Sequence, residues 1–155
     1  MTPAALLGTL AARRETLAVA ESLTGGLLAA AFVEVPGASA VFRGGLVVYA
    51  TDLKATLAGV PPDLLHRCGA VDPEVAVALA EGARERCGAD WGLGTTGVAG
   101  PDPQDGQLVG TVYVGCAGPR GATFRGYAID GDRAAVRTGA VAAALALLAE
   151  ELARL

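Results

Sequence analysis

Ser22, Tyr49 and Lys54 are the residues of this chain whose types and spacing suit nucleophilic chemistry. Ser22 lies in Ala20-Glu21-Ser22-Leu23-Thr24-Gly25-Gly26, between an apolar run that reads as a short buried strand (16–20) and one that reads as a helix (27–33) stopped by Pro36-Gly37. A hydroxyl at such a corner has helix N–H groups behind it and suits attack on a carbonyl or contact with an anion. The plainer alternative is that Ser22 or Thr24 caps the helix. A serine nucleophile also needs a base. The single histidine, His66, reads as part of a connecting loop or short helix, and its spacing gives no support to a Ser-His-Asp triad.

Lysine and tyrosine remain as candidate bases. Lys54 is the only lysine of the chain, whereas every other fixed cation is an arginine, which does not give up its proton. Lys54 reads as lying in the first turn of a short helix capped by Thr51, where the helix dipole and desolvation would both lower its pKa toward that of a usable base. Tyr49 ends the strand before it (45–49), so the two can flank one pocket. The alternatives for these residues are a surface lysine and a tyrosine at the edge of the core.

The glycine-rich run Gly92-Leu93-Gly94-Thr95-Thr96-Gly97 satisfies GxGxxG, but a dinucleotide site needs a helix directly after it. Here Pro101 and Pro103 prevent one. The run reads instead as a loop at a strand's C-terminal end, either a tight turn or a cradle for one phosphate or a substrate amide. His66-Arg67-Cys68 offers too few ligands for a metal, and no GxxxxGK[ST] loop is present.

The elements that must carry these residues follow from periodicity and punctuation. Helices are predicted over 4–13, 27–33, from Thr51 to Gly59, from Asp72-Pro73-Glu74 to Gly88, and from about Gly131-Asp132-Arg133 onward. Strands are predicted over 16–20, 45–49, 91–95, 111–116 and 122–129, the last two forming an antiparallel pair about Gly118-Pro119. Val141, Leu145, Leu148, Leu152 and Leu155 form the expected buried face of the last helix. The pattern predicts a single three-layer α/β/α domain over 1–155, with a mixed, mostly parallel sheet, a C-terminal hairpin and a long final helix.

Composition agrees with one packed domain. Hydrophobic residues make up 52% of the 155 and charged residues 18%. The 22 glycines point to tight turns and close backbone approaches, including approaches to a ligand. A net charge of −4 without any basic block argues against nucleic acid as a partner. Three scattered cysteines fit reduced, mostly buried thiols, and no signal peptide or bilayer-length apolar run is present, so a cytoplasmic protein is expected. The apolar content is compatible with a homo-oligomer.

In order and spacing, several segments resemble the C-terminal domain of the CinA competence/damage-inducible proteins, the nicotinamide-nucleotide amidases. They are AESLTGG (20–26), PGAS-x-x-FRGGLVVYATDLKATLAGV (36–60), GAVDPEVAVALAEGARERCGAD (69–90), TGVAGP (96–101), VGTVYVG (109–115) and GDRAAVR (131–137). The likeness runs from about Thr16 to Glu150. It implies hydrolysis of the carboxamide of nicotinamide mononucleotide (NMN) to nicotinate mononucleotide and ammonia, without a cofactor. It also implies Ser22 as nucleophile, Tyr49 and Lys54 as its partners, and a substrate site lined by Thr96, Gly97 and Gly100. Arg133, with Arg137 one turn on, would contact the phosphate. Joined to the helix-start reading, it makes the amides of Thr24, Gly25 and Gly26 the expected oxyanion donors. Residues 102–109 are shorter than in many relatives, many of which also carry a further N-terminal domain, so this chain resembles the stand-alone form. The competing class is a non-catalytic module that binds a pyridine nucleotide or a competence or DNA-damage protein; a weaker one is a Ser-Lys hydrolase for another small amide or ester.

Overall fold

The computed structural model describes residues 1–155. In chain order it contains α1 (Pro3–Arg13), β1 (Leu17–Glu21), α2 (Leu27–Val33), a 3-10 turn at Ala38–Ala40, β2 (Phe42–Val47), α3 (Thr51–Thr56), α4 (Pro62–Cys68), α5 (Pro73–Arg86), β3 (Trp91–Gly97), β4 (Thr111–Gly118), β5 (Gly121–Ala128) and α6 (Arg133–Ala153). The strands form one sheet in the order β2-β1-β3-β4-β5. β1 is parallel to both β2 and β3, and β4 is antiparallel to both of its neighbours. Four of the five strands therefore point the same way, and the three-layer, mostly parallel sheet expected from the sequence is present. No helix is long and apolar enough to cross a membrane.

Strand alternation sorts the two faces. Leu17 and Val19 of β1 join Leu93, Val112 and Val114 beneath α1, α2 and α6, which contribute Leu6, Leu10, Leu28, Phe32, Leu147 and Leu148. Ala18 and Ala20 face the other way, toward Val75, Leu79 and Ala83 of α5 and Leu64 and Leu65 of α4. That second face is made of small residues so that α5 can lie directly on the sheet. A Cβ added at Gly92 would stand 2.0 Å from Ala80 O, and one at Gly94 would stand 2.5 Å from Ala76 O. The first two glycines of the GxGxxG run thus serve a helix rather than a ligand. The run lies inside β3, and the loop begins after Gly97, a correction to the reading of 92–97 as a loop.

Other local expectations shift for physical reasons. Asp72 caps α5 by accepting the Glu74 N–H at 2.8 Å, as its sequence suggests. Thr51 is the first residue of α3 rather than its cap, and no side chain caps that helix. Tyr49 lies beyond β2, which stops at Val47. The buried face of α6 runs through Val136, Ala140, Ala144, Leu147, Leu148 and Leu152. Val141 and Leu145 are only half-buried and Leu155 is exposed, because alanines, not leucines, carry the first half of that face. Cys116 is buried, with its thiol pushed up to about 12 by desolvation, while Cys68 and Cys87 are half-buried.

Candidate active site

The chain leaves β1 through α2 on one face of the sheet and leaves β2 through α3, α4 and α5 on the other. The carboxyl ends of β1 and β3 therefore meet at a crevice where the winding changes direction, the usual ligand position in such sheets. A cleft of about 360 Å³ opens there. Ser22, the residue after β1, lies in its wall and is 8% exposed. Its N–H donates to Thr95 O at 3.0 Å, and its hydroxyl has no partner within the protein.

Neither Ser22 nor Thr24 caps α2. The cap position is Gly26, with φ 107° and no side-chain cap bond. Glu21 does that work instead: its fully buried carboxylate accepts the Leu28 N–H at 2.8 Å and the Ala29 N–H at 3.1 Å. The Thr24 hydroxyl is buried against Thr95 Oγ1 at 2.8 Å, and the Gly25 N–H donates to Ser22 O. Of the three amides expected as oxyanion donors at 24–26, that of Gly25 is thus occupied. Leu23, Thr24 and Gly26 keep amides with no protein acceptor, and of these residues only Leu23 lines the cleft. Arg137 is also committed, its guanidinium donating to Leu23 O at 2.9 Å and Thr24 O at 3.2 Å. It braces the turn that carries Ser22.

Lys54 is almost wholly buried, at 1% exposure. Its Nζ donates to Val48 O at 2.9 Å and Tyr49 O at 3.1 Å. Burial lowers its pKa from 10.5 to about 8, with the Asp105 carboxylate opposing the shift. The helix dipole is not the cause, since α3 has six residues and Lys54 sits in its last turn. Val48 N–H donates to Glu21 O, so the carbonyls that hold Lys54 belong to backbone adjoining the Ser22 turn. No hydrogen bond joins Lys54 to Ser22, and Lys54 does not line the cleft.

Tyr49 is 60% exposed at the cleft, where its hydroxyl accepts an N–H of Arg133 at 2.9 Å. Arg133 also donates to Gly100 O, linking the start of α6 to the segment after β3. That segment supplies Thr96, Gly97, Val98, Ala99 and Gly100 to the wall. The Thr96 hydroxyl donates to Ala70 O at 2.6 Å, leaving its own oxygen as an acceptor. Ala99 and Gly100 amides donate to no protein acceptor. Of the residues named from the sequence, Ser22, Tyr49, Thr96, Gly97, Gly100 and Arg133 come together in the cleft. Lys54, Thr24, Gly25, Gly26 and Arg137 do not line it. Glu21, Thr95, Ala70 and Asp105 were not singled out; only Asp105 had a local signal, an Asp-Gly turn pair.

The model of the CinA C-terminal domain matches residues 2–152. The chain belongs to the CinA C-terminal domain family. A CinA-like protein of Frankia casuarinae is 54% identical over 150 residues, covering 97% of this chain and 35% of that protein. A CinA-like protein of an Anaeromyxobacter species is 51% identical over 149 residues, with coverages of 94% and 36%. The chain thus spans about a third of the length of the curated relatives it matches. The crystal structure of a competence-damaged protein (CinA) superfamily protein from Klebsiella pneumoniae superposes with a TM-score of 0.94 at 30% identity, covering 99% of this chain and 96% of that one. Another superfamily member, from Escherichia coli, gives 0.91 at 33% identity, with coverages of 95% and 86%.

Proposed function

We propose that this domain is an amidohydrolase that converts NMN to nicotinate mononucleotide and ammonia, with Ser22 as nucleophile. The observation that carries the reading is a pairing of supplies at one end of the sheet: an unpartnered serine hydroxyl and a buried amine whose pKa falls to about 8. A neutral lysine has two N–H groups, and Val48 O and Tyr49 O take up both. Its single lone pair is left free to receive a proton.

In this scheme Lys54 takes the Ser22 proton as the hydroxyl attacks the carboxamide carbon, directly or through one water. The tetrahedral oxyanion receives the Leu23 N–H, a donor of the kind commonly worth about 3 kcal/mol. The C–N bond then breaks, ammonia leaves with a proton from Lys54, and water hydrolyses the nicotinoyl ester to restore Ser22. Arg133 and the free amides of Ala99 and Gly100 hold the 5′-phosphate, and that remote binding orients the amide. Tyr49, hydrogen-bonded to Arg133, links the phosphate end to the backbone that holds Lys54.

The absence of a hydrogen bond between Ser22 and Lys54 favours a second reading, a module that binds a pyridine nucleotide without turning it over. Ammonia release from NMN and calorimetric NMN binding, measured on the parent chain and on Ser22→Ala, separate the two. The amidase reading expects release by the parent, no release by Ser22→Ala, and binding by both. Turnover surviving in Ser22→Ala removes the serine as nucleophile. Binding with no release by the parent selects the module.

A further inference from the structure

The connection from β3 to β4 contains a small hairpin of its own. Gln104 and Gln107 exchange backbone hydrogen bonds, at 3.2 Å and 2.8 Å, around a two-residue tip. Asp105 and Gly106 at that tip have φ of 50° and 74°, the positive values such a tight turn requires. From there Asp105 Oδ2 accepts the Ala70 N–H at 3.1 Å. The missing side chain at Gly69 makes room for it, since a Cβ there would stand 3.1 Å from Asp105 Cβ. Ala70 O is meanwhile bound by the Thr96 hydroxyl. Both polar groups of Ala70 are thus fastened, one by the hairpin and one by β3, and Ala70, Thr96 and Gln104 all line the cleft.

We propose that Asp105 is a positioning residue of this site: its carboxylate latches the 104–107 hairpin onto Ala70 to complete the cleft wall. Burial drives Lys54 toward the neutral amine, and Asp105 limits that drive. Other charged groups stand on the surrounding elements: Asp52 on α3, Asp63, His66 and Arg67 on α4, Asp102 on the connection and Arg133 on α6. Two opposed influences leave the amine near neutrality, where a base both exists unprotonated and retains basicity. The catalytic consequence rests on the amidase reading; the latch and the charge coupling do not.

Two substitutions separate latch from charge. Asp105→Asn keeps a carbonyl oxygen for Ala70 and suits the left-handed backbone, but removes the charge. Asp105→Gly suits the same backbone and removes the latch. Because Lys54 is the only lysine, ¹³C-lysine labelling of the full chain gives one side-chain Cε resonance, which titrates with Lys54 alone. The midpoint is expected near 8 in the parent and lower in Asp105→Asn; an unmoved midpoint overturns the coupling. Hydrogen exchange at the Ala70 amide is expected to quicken about tenfold in Asp105→Gly, the worth of one hydrogen bond. Unchanged exchange overturns the latch. Quickened Ala70 exchange in Asp105→Gly, with a parent chain that leaves NMN intact, keeps this proposal and ends the amidase reading; unchanged exchange, with a parent that releases ammonia, does the opposite.

Discussion

Glu21 Oε1 accepts the Leu28 N–H at 2.8 Å from a side chain with no exposure to solvent. With the second bond to Ala29, one carboxylate satisfies two of the amides that open α2. Ser22, next in sequence, is relieved of capping and left free for the cleft. Glu21→Gln retains one acceptor and turns an NH₂ toward the other amide. Urea unfolding should show a loss of about 1.5–3 kcal/mol, the range for hydrogen bonds to a charged group. A change below about 0.5 kcal/mol would mean that these amides find other partners.

Lys54 ties stability to pH. The unfolded side chain holds its proton to about 10.5, while the folded one releases it at about 8. Between those values the unfolded chain binds the extra proton, so stability climbs as pH rises through the window, by at most about 1.4 kcal/mol per unit. Below about 8 the buried ammonium weighs against folding in full. Urea unfolding at a series of pH values from 7 to 9, below the range in which the buried Cys116 thiol works the other way, should show this rise in the parent chain but not in Lys54→Met. Equal pH dependence in the two chains would assign the titration to another group. The same proton governs rate in the proposed scheme: kcat/KM for NMN should rise with pH to a plateau above about 8, and Lys54→Arg should abolish turnover.

Arg133 reaches both Tyr49 Oη and Gly100 O, so its loss can act through phosphate binding or through the shape of the cleft. Steady-state kinetics of Arg133→Ala on NMN and on the phosphate-free riboside distinguish them. Loss of a charge-assisted phosphate contact, about 1.5–3 kcal/mol, should raise KM for NMN about tenfold to hundredfold while the riboside changes little. An equal rise for both would make Arg133 a brace.

The strand–turn–helix around Ser22, the cap at Asp72-Pro73-Glu74 and the hairpin about Gly118-Pro119 were legible because their signals are local. The burial of Lys54 was only half legible. Its being the sole lysine marked it, but the carbonyls that hold it and the desolvation around it arise from tertiary packing. The GxGxxG run misled for the same reason: nothing within 92–97 says that α5 presses on Gly92 and Gly94. Along α6, the leucine spacing points to a stripe through Val141 and Leu155, whereas Ala140 and Ala144 are the fully buried residues of its first half. Glu21 was hidden because an acid at the end of an apolar run looks like the run's boundary rather than its anchor.

The Gln104–Gln107 hairpin closes on itself with its own two bonds, so residues can be added or removed at its tip without shifting the register of β3 against β4. Length changes in this surface finger can therefore reshape the mouth of the cleft while the sheet beneath Ser22 keeps its register, and only those that spare Asp105 leave the surroundings of Lys54 as they are.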